Sequence, residues 1–265
     1  MKKALSILLV LIMALAVLTG CGGGGEEATK FVIATDTVFA PFEFTNDAGE
    51  FVGIDVEIAE AIAEKLGMEL KIEDVEFGSI IGGVQSGKFD MGMAGMTVTE
   101  KRLESVNFST TYATGIQVII VADGSAITSL DSIFVFDENG DPIALQNPDI
   151  KVGVQQDTTG DIYCSSKPAE WGFGEENVVR YKTGADAVQA LITGKVTAVI
   201  IDNEPAKAFV AANKGLKIQE TSFTEEDYAI AINKEDTELL KDVNAALAKL
   251  TKEGKIQAII DKYIK

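Results

Sequence analysis

Between residues 30 and 95 the chain alternates short apolar runs with amphipathic stretches, and that alternation leaves few folds open. Lys30–Thr35 carries Phe31-Val32-Ile33-Ala34 and reads as a buried strand. A helix follows as far as Leu66, with Ala59, Ile62, Ala63 and Leu66 on one face, Asp55 as its cap and Gly67 as its stop. Residues 69–75 form the next strand and residues 79–85 a short helix. Gly87-Lys88 then returns the chain into a strand over residues 90–94. This β-α-β-α-β order predicts a mostly parallel sheet with helices on its faces, because parallel strands need crossover connections.

The end of that unit occurs twice. Residues 86–95, Ser-Gly-Lys-Phe-Asp-Met-Gly-Met-Ala-Gly, lie over residues 193–202, Thr-Gly-Lys-Val-Thr-Ala-Val-Ile-Ile-Asp. A helical stretch with an apolar face precedes each copy, Ile80, Ile81 and Val84 in one and Ala187, Val188 and Leu191 in the other. Gly95 thereby matches Asp202. In open α/β sheets ligands sit beyond the carboxyl ends of the strands, so two lobes with one copy each put both strand ends on one cleft. Residues 116–121 form an apolar strand at the first crossing between lobes, and residues 134–143 read as a hairpin with Asn139-Gly140 as a tight primed turn. A strand over residues 151–154 leads into Gln155-Gln156-Asp157-Thr158-Thr159-Gly160 and a helix, whereas Trp171 lies in an irregular stretch. Residues 228–232 bring the chain back to the first lobe. Leu240, Val243, Leu247 and Leu250 make the stripe of a long helix, Gly254 breaks it, and residues 256–264 form the last one.

The chemistry is concentrated at the first strand end. In Met93-Ala94-Gly95-Met96-Thr97-Val98-Thr99-Glu100-Lys101-Arg102 an apolar strand meets Gly95, where a backbone can approach a ligand. Thr97 offers a hydroxyl, Thr99 can cap a helix, and Arg102 falls in its first turn. Helix N–H groups and a guanidinium both suit a carboxylate. Across the cleft Asp202 suits an ammonium, although it also stands where it could cap a helix beginning at Asn203. A free α-amino acid carries both charges on one carbon, and burying either one unpaired costs several kcal/mol. Asp36, at a strand end, is placed to meet the ligand side chain. Phe39 and Phe77 are either apolar walls for its stem or ordinary core residues.

The beginning of the chain speaks for export. Lys2 and Lys3 precede the apolar run of residues 4–17, shorter than the ~20 residues of a membrane span, and Leu18-Thr19-Gly20-Cys21 follows. Residues 1–20 resemble a bacterial lipoprotein signal, with Cys21 as the lipidated, palmitate-bearing N-terminus and residues 21–28 as a flexible tether. Loss of residues 1–20 removes two lysines and no acid, taking the formal charge from −18 to −20. So acidic a surface repels nucleic acid. The chain has no histidine, which removes the commonest general base and metal ligand, and no cofactor or metal is expected. Cys164 is then the only thiol, so no internal disulfide forms, and it reads as a small buried apolar side chain.

The motifs taken together resemble the polar amino-acid-binding proteins of ABC importers. The resemblance rests on Asp36-x-x-Phe39-Ala40-Pro41-Phe42-Glu43, Gly53-Ile54-Asp55-Val56, Gly95-x-Thr97-x-Thr99-x-x-Arg102, Val152-Gly153-Val154-Gln155 and Asp202, in that order along the chain. It implies an α/β, two-lobed, periplasmic-binding-protein-like (type II) fold with a two-strand hinge and a ligand cleft between lobes. Residues 29–117 and 226–265 would make lobe 1 and residues 118–225 lobe 2. It implies that Arg102, Thr97 and the Gly95 backbone hold an α-carboxylate, helped by the loop at Thr159. Asp202 would hold the α-ammonium, and Asp36, Phe39 and Phe77 the side chain. Ala94, Gln155 and Thr158 complete the implied set. Asp157 departs from the family pattern, which has glycine there, and adds a negative charge near the cleft.

The expected function is therefore an extracytoplasmic, lipid-anchored, monomeric binding protein for a polar or cationic L-amino acid. Arginine, lysine and glutamine lead. The partners would be an ABC permease and its ATPase. Two other readings use the same fold: a cyclohexadienyl dehydratase-like enzyme with an acid such as Glu43 as proton donor, and a ligand-sensing domain for a separate receptor.

Overall fold

A computed structural model describes residues 30–264, the side chains of residues 220–223 apart. The expectations for residues 1–20, for Cys21 and for the tether lie outside these residues. In chain order the elements begin β1 (Lys30–Thr35), β2 (Val38–Phe39), β3 (Glu43–Thr45), β4 (Phe51–Val52), α1 (Ile54–Leu66), β5 (Glu69–Asp74) and α2 (Phe77–Gln85). Then come β6 (Met91–Gly92), α3 (Glu100–Leu103), β7 (Val106–Phe108), β8 (Ala113–Ala122), β9 (Phe134–Phe136), β10 (Pro142–Leu145), β11 (Val152–Gln155) and α4 (Thr159–Ser165). The rest are β12 (Val178–Tyr181), α5 (Gly184–Ile192), β13 (Ala198–Asp202), α6 (Asn203–Ala212), β14 (Leu216–Tyr228), β15 (Ala231–Asn233), α7 (Thr237–Lys252) and α8 (Lys255–Tyr263).

The protein is two-lobed, and each lobe is built on a five-stranded sheet. One sheet has the order β5-β1-β6-β15-β7 and the other β12-β11-β13-β8-β14. β1 and β6 are parallel neighbours in one, β12, β11 and β13 are parallel neighbours in the other, and in each the fourth strand runs antiparallel to the third. The registers coincide: Met91 pairs with Ile33 in one sheet, and Ala198 pairs with Val152 in the other. The sequence repeat is thus a repeat of structure. Its two helix stops match bond for bond. Gly87 (φ 73°) and Gly194 (φ 72°) both take the left-handed conformation. The next residue, Lys88 or Lys195, donates back to Gly83 O or Ala190 O at 2.9 Å.

Alternate strand residues face opposite layers, so both sheet faces are covered, as parallel strands require. In the first lobe Phe31, Ile33 and Met91 pack with Ile58, Ile62, Val243 and Leu247, while Ala34 packs with Ile80 and Val84. In the second, Val152, Val154 and Ile200 face Phe134 and Phe173, while Val199 and Ile201 face Val188 and Leu191. The chain passes between sheets twice, and the two passages lie side by side. Ser109 N donates to Ile230 O at 2.9 Å and Tyr112 N to Tyr228 O at 3.0 Å. The boundaries expected at 117/118 and 225/226 fall inside β8 and β14, which run on through them.

Two local expectations are corrected. Asp55 does not cap α1, because Gly53 (φ 132°) takes that position. Any side chain at Gly53 would collide with Phe42 O, the added Cβ lying 2.2 Å away. The 134–143 hairpin does not turn on a two-residue primed loop either. Asp137 N donates to Asp141 O at 2.9 Å, Gly140 N to Asp137 O at 3.2 Å, and only Gly140 has positive φ. That is a three-residue loop with glycine at the bulge, stabilised by the Asp137 carboxylate accepting from Asn139 N and Asp141 N.

Neither Gly87 nor Gly194 has a heavy atom within 4 Å of an added Cβ, so alanine meets only the backbone penalty of the left-handed region. Gly87→Ala and Gly194→Ala should each cost about 1–2 kcal/mol in urea unfolding, and by the same amount within error.

Candidate functional site

The strand ends of both sheets meet at one cavity. Its wall contains Asp36, Phe39, Phe77, Ala94, Gly95 and Thr97 from the first lobe and its connections. Arg102, Gln155, Thr158, Thr159 and Asp202 complete the expected set, and Glu43 is added to it. The structure thus brings all eleven positions read from the sequence to one place.

Asp36 and Gln155 follow from the doubled topology. Each stands just past or at the end of the second strand of its sheet, β1 or β11, in equivalent register. They meet directly across the cleft, Gln155 Nε2 donating to Asp36 Oδ2 at 2.9 Å. Burial, then the nearby charge of Asp74, pushes the Asp36 carboxyl up to about 6 against the relief from Gln155.

Arg102 is held by its own turn. Thr99 caps α3 by accepting Arg102 N at 3.2 Å, so the single-turn helix uses this N–H itself. What remains for an anion is the guanidinium. It is buried, with Nη1 donating to Thr97 O at 2.8 Å and Nη2 reaching Asp157 O in the other lobe at 3.2 Å. The Phe77 ring lies 5.2 Å from Arg102 Cζ, a cation–π contact. Two of five N–H donors are used and three are left. Among the described residues Arg102 makes no ion pair.

Asp202 ends β13 at the N-cap of α6, yet its side chain makes no capping hydrogen bond. It turns into the site and accepts the Tyr228 hydroxyl instead. Burial first, and then the charge of Glu226, raises its carboxyl to about 7. Gly115 is required there, since an added Cβ would lie 2.0 Å from Tyr228 OH and 2.8 Å from Asp202 Oδ1.

Some expected contributions differ in kind. The Gly95 N–H is already donated to Asp55 Oδ2 at 2.8 Å, so it is not free for a ligand carboxylate. Gly95 (φ 51°) serves by lacking a side chain, because a Cβ would press on the Phe39 ring at 2.9 Å. Thr158 fixes the loop, donating to Gln155 O at 2.8 Å and capping α4. Asp157 does not line the cavity. Its φ of 64° explains why glycine is the easier residue there, and it turns the carboxylate toward Gly78 in an adjoining groove.

Sequence reasoning missed a set of buried polar residues behind the wall. Asp55 accepts the Tyr112 hydroxyl at 2.8 Å as well as Gly95 N. Glu43 is fully buried beside Asp55, with which its carboxyl shares a hydrogen bond. Burial and the charge of Asp55 raise it well above the ordinary range. Gln117 and Glu226 pair with Thr97 and Thr159. Glu43 between Phe42 and Phe44, and Gln117 within an apolar strand, were detectable as lone polar residues in apolar runs. Glu226 was not, because Glu225-Glu226-Asp227 reads as a solvated face.

Four acids, Asp36, Glu43, Asp55 and Asp202, bind protons more tightly here than in an unfolded chain. Between the ordinary value of 3.8 for an aspartate and the raised values of about 6 to 7, the folded form holds the extra protons. Stability is then fully present at low pH and lost as pH rises through 6 and 7. The ligand-free protein should show a higher urea midpoint at pH 5 than at pH 8, and Asp202→Asn should flatten that dependence.

Comparison with known proteins agrees with this architecture. The family model for bacterial extracellular solute-binding proteins, family 3, matches residues 31–265. The arginine-binding extracellular protein ArtP of Bacillus subtilis (strain 168) is 31% identical over 99% of this chain and 98% of its own length. The glutamine-binding protein GlnH of an ABC transporter from the same organism is 30% identical over 100% and 98%. A solved ancestral arginine-binding protein bound to arginine superposes with a TM-score of 0.78 at 35% identity, covering 89% of this chain and 98% of that one.

Proposed function

We propose that the chain, which belongs to family 3 of the bacterial extracellular solute-binding proteins, captures a free cationic L-amino acid, arginine foremost. In this reading the α-carboxylate sits against the three spare N–H groups of Arg102 and the hydroxyls of Thr97 and Thr159. The α-ammonium pairs with Asp202. The side chain passes between Phe39 and Phe77 toward Asp36 and Glu43.

The observation that supports a cation is the acidity of the wall, where the fully buried Glu43 carboxyl shares a hydrogen bond with Asp55 behind it. The wall holds three acids, Asp36, Glu43 and Asp202, against one cation, Arg102. A zwitterion leaves that excess in place, whereas a guanidinium or ammonium side chain reduces it and supplies N–H donors to both distal acids. Glutamine is the second reading, supported by the relative named for it, and would use Asp36 alone as an amide acceptor.

The carrier is proposed to be exported by residues 1–20, anchored through a lipid on Cys21, and to act as a monomer. It delivers its amino acid to a membrane permease driven by an ATPase. Among the described residues no helix is long and apolar enough to cross a membrane.

Calorimetric titration of purified, ligand-stripped protein against the twenty L-amino acids, ornithine and citrulline tests this. One-to-one binding of arginine at micromolar affinity or better, about −8 kcal/mol, is expected. Arg102→Ala should lose about 2–5 kcal/mol of it, since the ligand carboxylate is then buried unpaired. Failure of every amino acid to bind ends the proposal.

The affinity should also fall with acid. Asp202 must be ionised to hold an ammonium, and its carboxyl stands at about 7 before binding. Kd is expected to be flat above pH 8 and to rise by up to about tenfold per unit below pH 7. A pH-independent Kd between 5.5 and 8 would remove Asp202 from the ammonium site.

A further inference from the structure

One buried acid near the cavity is not used by the proposed grip. Glu226 lies on β14 with 4% exposure. Its Oε2 accepts three hydrogen bonds of 3.0 Å each, from Thr97 Oγ1, Thr159 Oγ1 and Gln117 Nε2. The Tyr163 hydroxyl also hydrogen-bonds to this carboxylate. Thr97 follows β6 of the first sheet, and Thr159 opens α4 of the second lobe. A single carboxylate oxygen therefore joins the two sides of the cleft, beside the Gln155–Asp36 and Arg102–Asp157 bonds that also cross it.

A hydroxyl has one proton to donate. While Thr97 and Thr159 give theirs to Glu226, neither gives one to a ligand. Nearby, Arg102 has no ion-pair partner among the described residues, and Glu226 is the acid whose charge acts on it most strongly. The donors of the carboxylate grip thus already surround a carboxylate that belongs to the chain.

We propose that Glu226 is a tethered surrogate for the ligand's α-carboxylate, competing with it for the two threonine hydroxyls and holding the sides of the cleft together. The inference rests on the reading of Thr97, Thr159 and Arg102 as the grip for that carboxylate. It makes Glu226 an affinity-setting residue of negative sign. The incoming carboxylate must win the hydroxyls from it, so the penalty falls on ligands that carry a carboxylate and spares those that do not.

The test is calorimetry on purified, ligand-stripped wild type and Glu226→Gln with L-arginine and with L-argininamide, in which the carboxylate is replaced by an amide. If glutamine binds wild type more tightly, L-glutamine and L-glutaminamide take their place. An amide oxygen accepts the two hydroxyls more weakly than a carboxylate does, so the amino acid should tighten by about five- to thirtyfold and the amide change by less than about twofold. In X-ray scattering the ligand-free Glu226→Gln protein should have a larger radius of gyration than ligand-free wild type, and both should contract to one value with ligand. Equal or weaker amino-acid binding in the variant, or an equal gain for the amide, overturns the proposal while the carrier function stands. Should Glu226→Gln not fold, Glu226→Asp, one methylene shorter, is measured instead, and a loss of affinity there overturns it equally. Absence of any amino-acid binding in wild type overturns the grip and the surrogate together.

Discussion

A buried guanidinium that makes no ion pair among the described residues is the constraint on which the cleft depends. Desolvating a cation costs several kcal/mol, and the fold offsets this with backbone carbonyls, one from each side. Thr97 O lies in the loop that carries Arg102, and Asp157 O comes from the opposite lobe. Carbonyls supply hydrogen bonds without supplying charge, so the cation stays in need of an anion. The loops around it are arranged to keep that need exposed to the cavity: Thr99 takes up the first N–H of α3, and Phe77 covers one face of the guanidinium.

The doubled sheet explains why so much polar chemistry converges on one spot. Two sheets of the same order and register bring equivalent strand ends to one cleft. Asp36 and Gln155 are therefore partners by topology, and Gly95 and Asp202 occupy matching places with opposite tasks. At Gly95 the backbone must come close to Phe39, so a side chain is excluded. At Asp202 the strand end carries the acid that takes the Tyr228 hydroxyl. The side-by-side passages at residues 109–112 and 228–230 join the two halves, so any motion between lobes must pass through this hydrogen-bonded pair.

Most of the fold was legible because it depends on local periodicity and stops. The strands, the stripe of α7 and the αL glycines at residues 67, 87, 194 and 254 follow from side-chain pattern and backbone freedom alone. The cavity wall was legible for a different reason: its residues lie at strand ends and helix starts, where the chain order itself announces them. What the sequence did not disclose was the second layer. Whether Asp55 caps its own helix or reaches Gly95 and Tyr112 is decided by a glycine two residues earlier and by tertiary approach. Glu226 was hidden for a related reason, since of three consecutive acids only the middle one points inward from β14 and is buried.

The acids behind the wall place stability and recognition in opposition. Asp36, Glu43, Asp55 and Asp202 are all held above the ordinary range by burial, and the charges of the other three add to the cost of ionising Glu43. A carrier needing only a stable core would have apolar residues at these positions, since replacing buried ions by well-packed apolar groups is often neutral or stabilising. Their retention makes physical sense if the cleft is completed by charge from outside. In the proposed reading a cationic amino acid would bring an ammonium to Asp202 and a second cation toward Glu43 and Asp36, while its carboxylate would answer Arg102. One ligand would then favour ionisation of acids that burial keeps protonated. The same logic applies to the chain's own acids. Two hydroxyls attract a carboxylate that can reach them, and Glu226 accepts from both.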